Sequence, residues 1–174
     1  MNDEFSKALL AEGASSSIPD EDNWYGQFVG TWDFEWVDGK GTPEERHAKG
    51  EWIFSWIIEG QAIQDVFICP SRSERANQSY SDAAYGTTIR LYNPKTRLWE
   101  ILYAQQGYPT HFVGHRDSEG NIVQTLVGHH DFQMMWTFSE ICPDSFHWTN
   151  SMSVDGGKTW TLQGELYAKR KLNR

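Results

Sequence analysis

The sequence predicts an all-β fold, a single up-and-down antiparallel barrel of about 8–10 strands with a short N-terminal helical segment. Three observations predict it. From Phe28 onward apolar and polar residues alternate with period two, the pattern of half-buried strands. Turn residues interrupt that alternation every eight to twelve positions, and no convincing helical periodicity lies between them. Nine Trp, seven Tyr and nine Phe in 174 residues exceed what packing alone demands and suit a lumen lined with rings.

The elements are taken in chain order. Residues 3–12 carry Phe5, Leu9 and Leu10 at the spacing of one short amphipathic helix, and the Ser-rich stretch Gly13 to Pro19 reads as a linker. Asp22 is placed to cap a helical turn bearing Trp24, Tyr25 and Phe28, which would cover one end of the barrel. Trp32, Phe34 and Trp36 alternate with Asp33 and Glu35; Trp52, Phe54, Trp56 and Ile58 alternate with Glu51 and Ser55. Further strands are expected over 62–68, 85–92, 97–103, 108–116, 121–127, 132–138, 145–153 and 160–169, about ten in all, in sequential hairpins. The polar, Ser-rich stretch 71–83 is the longest irregular segment and a candidate cover for the other end. The organisation is thus an acidic tail or short helix over 1–22, a barrel domain over 23–170 and a tail over 171–174.

Charge and composition exclude several classes. The net charge is -9, and phosphate binding needs clustered Lys and Arg, so no nucleic-acid partner is expected. Much of the excess lies in residues 1–22, where Asp3, Glu4, Glu12, Asp20, Glu21 and Asp22 face only Lys7, as in a solvated acidic tail. No apolar run approaches the ~20 residues of a membrane helix, and no membrane partner is expected. The start Met1-Asn2-Asp3-Glu4 lacks the features of a signal peptide, so the chain reads as cytoplasmic. Cys69 and Cys142 have no metal-like spacing and need not pair. No nucleophile elbow or glycine-rich phosphate loop is present, and no cofactor is called for.

Phe28-Val29-Gly30-Thr31-Trp32 resembles the Gly-x-Trp opening of the calycins, the group of lipocalins and fatty-acid-binding proteins. That resemblance implies a helical turn leading into the first strand and a Trp packed across the barrel base, with Arg170 or Lys169 as its basic partner. Ile89-Arg90-Leu91-Tyr92-Asn93-Pro94 followed by Trp99-Glu100-Ile101, and Trp136-Thr137-Phe138 leading to Pro143-Asp144-Ser145-Phe146-His147-Trp148, look like an uncharacterised bacterial lipocalin-like family. The C-terminal hairpin of that family also carries an Asp-Gly-Gly-Lys-Thr-Trp turn. The likeness covers roughly residues 24–170, implies the fold, and carries over no catalytic residue.

Ser153-Val154-Asp155-Gly156-Gly157-Lys158-Thr159-Trp160 also resembles the Asp-box of sialidase-type propellers. A propeller repeats its motif in blades of ~40–50 residues, whereas here it occurs once in a chain too short for four such blades. Asp155, Gly156 and Gly157 suit a tight hairpin turn, with Ser153 and Asp155 bonding nearby amides and Trp160 covering the turn.

The candidate site residues are aromatic and polar groups on the strands. Trp136, Trp148 and Met134 are expected in the lumen or core. Thr88, Arg90 and Tyr92 share one strand face, while Tyr85, Thr87, Ile89 and Leu91 share the other. If the first face is inward, Arg90 can bind a carboxylate as fatty-acid binders do; if outward, it is a surface residue. Arg116 meets the same choice beside Phe112 and Gly114, and Glu165 is expected outside. His111 and His115 share a face about 13 Å apart, too far to chelate one metal, and His129-His130-Asp131 sits at a turn. No metal site is called; a lumen histidine could instead donate a hydrogen bond or serve as acid and base.

Three functions remain open. The leading one is a barrel that binds a small hydrophobic or aromatic molecule, with Arg90, Tyr103, His111 and His115 as polar anchors and Trp136 and Trp148 as walls. The second is a cofactor-free isomerase, cyclase or lyase that uses His111 or His115 as a lumen acid/base. The third is an interaction protein with a filled lumen, whose outer face is a candidate homodimer surface.

Overall fold

A computed structural model of the chain describes residues 3–76, 83–105, 107–128 and 131–171. The expectations for His129 and His130, and for residues 77–82 of the 71–83 loop, fall outside them; within the described part of that loop Arg72–Arg75 form a short helix capped by Ser71. Ten strands form one sheet: β1 (Gly30–Asp38), β2 (Arg46–Ile57), β3 (Ala62–Cys69), β4 (Ala84–Asn93), β5 (Leu98–Gln105), β6 (Tyr108–Arg116), β7 (Ile122–Leu126), β8 (Gln133–Cys142), β9 (Ser145–Ser153) and β10 (Thr161–Arg170). Each pairs antiparallel with its neighbours in sequence, and β1 pairs with β10, so the sheet closes into an up-and-down barrel without free edges. None of the described helices is long and apolar enough to cross a membrane.

The barrel has two unlike ends. The β2–β3, β4–β5, β6–β7 and β8–β9 turns share one end with the N-terminal segment, which closes it. Helix α1 (Asp3–Leu9) stops earlier than its spacing suggests, because Leu10 forms a bridge with Ile57 and Ala11 donates to the Trp56 carbonyl at 2.9 Å. Backbone pairing with β2 replaces the last helical turn.

Asp22 is not the helix cap its position suggests. The turn at Gly26–Phe28 has no side-chain cap, and Asn23 Oδ1 accepts from Gly26 N at 3.2 Å. Asp22 is buried and tethers the segment to the barrel instead. Its carboxylate accepts from Tyr92 Oη at 2.5 Å and from Arg97 Nε at 2.8 Å, and its carbonyl accepts from Trp99 Nε1 at 2.9 Å. The Arg97 bonds hold the Asp22 carboxyl below the usual carboxylate range despite its burial.

The plug this creates is aromatic. Tyr25 and Phe28 are fully buried against Trp99, Phe138 and Phe146. Below them Trp32 donates to the Phe28 carbonyl at 2.7 Å and lies under the Arg170 guanidinium, 4.1 Å from the ring centroid. Arg170, rather than Lys169, is therefore the basic partner of the Gly30-Thr31-Trp32 opening.

Strand alternation sends Trp32, Phe34 and Trp36 of β1, Trp52, Phe54 and Trp56 of β2, and Phe138, Phe146 and Trp148 of β8 and β9 into one cluster. Trp52 alone contacts Phe54, Phe67, Phe138, Phe146 and Trp148. Rings this crowded need small neighbours: a Cβ on Gly164 would lie 2.3 Å from Trp36 Cζ2, and one on Gly114 would lie 2.5 Å from Tyr25 Oη. A Gly114→Ala variant is accordingly expected to lose stability by overpacking, about 1–3 kcal/mol, measurable by urea denaturation.

Candidate functional site

The lumen is divided. Its lower half, toward the closed end, is filled by the aromatic cluster. Its upper half opens into a cavity of about 790 Å³ walled by Tyr103, Gln105, Thr110, Leu126, Met134, Trp136 and Asn150, with Pro109, His111, Val127 and Phe132 at its margin. That volume falls within the range of small-molecule sites. A smaller cavity, about 250 Å³, lies by Trp36, Phe67, Cys69 and Ala84, also near the open end.

The wall is set by register. Across the sheet Asp65, Thr88, Tyr103 and Thr110 stand opposite one another in one inward row. The next row toward the closed end holds Ile63, Arg90, Ile101, Phe112 and Leu126. Trp136 stacks on Phe112 with centroids 4.1 Å apart and meets Tyr103 edge-on at 5.2 Å, forming a flat aromatic face. Tyr103 donates to Gln105 Oε1. Burial, with a contribution from the nearby Asp65 charge, pushes the Tyr103 phenol up to about 12, so it remains a protonated donor at neutral pH.

Of the sequence candidates, Arg90, Tyr103, Trp136 and Trp148 lie on the inward face. His111 and His115 do not. Thr110, Phe112 and Gly114 of β6 point inward, Gly114 because Tyr25 Oη occupies the space a side chain would need, so the two histidines project outside. His111 Nε2 pairs there with Glu100 Oε2 at 2.8 Å. The inward His expected as acid/base is therefore missing from these two positions. By the same alternation His47 and His147 also face outward, so no described histidine points into the lumen. Arg116 continues the inward series but emerges exposed beyond the base, with Nη2 donating to the Gly120 carbonyl at 3.3 Å.

Arg90 is inward, yet it is not a free anion receptor. It is 1% exposed and its Nη1 bonds Asp65, itself 0% exposed, whose other oxygen accepts from Thr88 N at 3.2 Å. The guanidinium also faces the rings of Tyr25 at 5.1 Å and Phe54 at 5.4 Å. Asp65 went unnoticed in the sequence, although it alternates with Ile63 and Phe67, a charged residue on an otherwise apolar inward face. Gln124 and Asn150 were missed as well.

Several buried polar atoms of the lumen have no hydrogen-bond partner among the described residues: the indole nitrogens of Trp52, Trp136 and Trp148, both amide atoms of Gln124, Asn150 Oδ1, Tyr25 Oη and Nε of Arg90, whose Nη1 alone bonds Asp65. Buried polar groups are costly to leave unpaired, so such a concentration marks a place that polar atoms of a ligand or water complete. Glu165, expected outside, does face outward but is covered: it accepts from His147 Nε2 at 2.6 Å and Tyr167 Oη at 2.9 Å and pairs with Lys40 at 2.8 Å.

The Ser153–Trp160 segment is a self-contained turn at the open end. Asp155 Oδ1 accepts from Lys158 N at 3.0 Å and Thr159 N at 2.9 Å, and Oδ2 accepts from Thr159 Oγ1 at 2.6 Å. Positive φ values of 76° and 85° fall on Gly156 and Gly157. These bonds, led by Thr159, lower the Asp155 carboxyl from an ordinary 3.8 to about 2. A depressed carboxylate stabilises above its unfolded value and loses that contribution as pH falls through the folded one. The turn is therefore expected to keep its order to about pH 3 and lose it near pH 2, read by nuclear magnetic resonance at the Trp160 indole N–H, which donates to the Gly157 carbonyl at 3.2 Å.

No family model matches the chain, and no curated protein matches it. Among solved structures it is similar to the S-type phycobiliprotein lyase CPES from Guillardia theta, with a TM-score of 0.60 and 10% identity over 91% of this chain and 96% of that one. It is also similar to Rv2717c from M. tuberculosis, with a TM-score of 0.59 and 12% identity over 91% of this chain and 99% of the other. Both are ten-stranded antiparallel barrels, and at this identity the likeness shows the fold alone.

Proposed function

We propose that the barrel binds a small, flat, largely apolar molecule in the cavity at its open end. One observation carries this reading: a cavity of about 790 Å³ with an aromatic and thioether wall, into which the unpaired Trp136 Nε1 and Asn150 Oδ1 are built. Rings supply area, Met134 adapts to shape, and the two unpaired groups orient the guest. A phycobiliprotein lyase on the same architecture supports the use of such a barrel for small-molecule chemistry. The alternative that uses His111 or His115 as a lumen acid/base draws no support from their placement, since both project outside the barrel.

Titration with N-phenyl-1-naphthylamine tests the reading. The probe is expected to brighten and to quench tryptophan emission with micromolar affinity. Thr110→Phe, a half-buried inward position at the mouth, should fill the cavity and weaken the probe at least ten-fold while the far-ultraviolet spectrum is unchanged. Binding that ignores Thr110→Phe would place the probe elsewhere and overturn the reading.

A further inference from the structure

Arg90 is the obvious lumen group for a carboxylate, and its surroundings argue the reverse. Asp65 occupies one edge of the guanidinium, three aromatic rings surround the group, and both partners are withdrawn from solvent. The pair carries no net charge. An anionic ligand would therefore bury a charge beside Asp65 with its natural counter-ion already neutralised, and desolvating an uncompensated carboxylate or sulfonate costs far more than desolvating a neutral group.

The cavity wall offers no substitute. Among the described residues that line it there is no Lys, Arg, Asp or Glu, and its margin histidine, His111, is engaged outside with Glu100. What the wall does offer is neutral and two-sided: the Trp136 N–H can donate, and Asn150 Oδ1 can accept. Neither Asp65 nor Arg90 lines the cavity, but Asp65 stands in the same inward row as Tyr103, with only the Thr88 strand between them, and its charge reaches the cavity wall there, where it helps to raise the Tyr103 phenol.

Resting on the binding reading above, we propose that the site selects uncharged ligands, flat molecules whose polar group both accepts and donates, such as an amide, phenol or alcohol. Asp65 sets that selectivity by cancelling Arg90. This reverses the fatty-acid-like role that an inward arginine suggests.

Two probes differing by one sulfonate separate the possibilities: neutral N-phenyl-1-naphthylamine and anionic 1-anilinonaphthalene-8-sulfonate. Wild-type protein should bind the neutral probe at least ten-fold more tightly. Because the neutral probe is also the more apolar, variants carry the decision. Asp65→Asn leaves Arg90 uncompensated and should shift the affinity ratio at least ten-fold toward the sulfonate. Should that variant not fold, the double variant D65L/R90M removes both charges at similar volume and should leave the wild-type ratio within about two-fold. A double variant that loses sulfonate affinity selectively would show that Arg90 acts as a cation toward ligands, which overturns the inference, as would wild-type preference for the sulfonate. Either result leaves binding itself standing. Failure of both probes to bind folded wild-type protein would overturn the binding reading and this inference with it.

Discussion

Asp65→Ala is expected to cost about 3–5 kcal/mol of folding stability, because it leaves the Arg90 cation buried without a counter-ion. Against a typical total of about 5–15 kcal/mol that is roughly a fifth or more, and for a chain of this length it lowers the melting temperature by roughly 6–20 °C. Surface pairs behave differently. Lys7 with Asp3 and Lys171 with Asp33 are all more than half exposed, and solvent screens such pairs to near nothing. The contrast that decides the role of the Asp65–Arg90 pair is the double variant D65L/R90M. Removing both charges at similar volume is often neutral or stabilising by about 1–4 kcal/mol. Recovery of stability in the double variant, measured by urea denaturation, would show that the fold does not need the pair, leaving ligand selectivity as its reason. A double variant as unstable as Asp65→Ala would instead make the pair structural, with the Thr88 amide bond and the three surrounding rings as its cause.

The barrel was legible because its information is local. Alternation in Trp32-Asp33-Phe34-Glu35-Trp36 and turn residues at Asn93-Pro94 or Asp117-Ser118-Glu119-Gly120 specify strands and hairpins without long-range knowledge. Which face turns inward is not always local. On β4, Tyr85, Ile89 and Leu91 are more apolar than Thr88, Arg90 and Tyr92, so hydrophobicity favours the wrong face. Tyr85 is 54% exposed and Leu91 44%, while Arg90 is buried. The deciding partner is Asp65 on the next strand, an interaction between residues 25 positions apart that no window along the chain displays. On β6 the ambiguity is resolved from farther away still. Gly114 must face inward because Tyr25 arrives from the N-terminal plug, and that single steric demand expels His111 and His115 from the lumen. The acid/base reading failed on this long-range contact, although the strand itself was correctly placed. Asp22 shows the same limit at an element end: its type suits a cap, but Arg97 and Tyr92, remote in sequence, offer a charged partner worth more than a cap.

Trp32→Ala is the second large effect, about 3–5 kcal/mol, the usual cost of deleting a fully buried Trp. Area alone does not describe what is lost. Trp32 holds the Phe28 carbonyl through its indole nitrogen, and its ring supports the Arg170 guanidinium. Arg170 in turn donates to the carbonyls of Gln27 at 2.7 Å, Val29 at 2.9 Å and Pro143 at 2.8 Å, tying the N-terminal plug and the β8–β9 turn to the last strand. The two residues also face each other across the β1–β10 seam that closes the barrel. They should therefore couple. Arg170→Met alone removes three carbonyl bonds and a cation–π contact worth about 0.5–2 kcal/mol. A double-mutant cycle of Trp32→Ala with Arg170→Met is expected to show a coupling of about 1–3 kcal/mol, each single loss containing part of the other. Additive losses would mean that Arg170 binds the plug independently of the ring. In that case Trp32 would contribute its buried area and its bond to the Phe28 carbonyl, and the seam would be held by its backbone ladder.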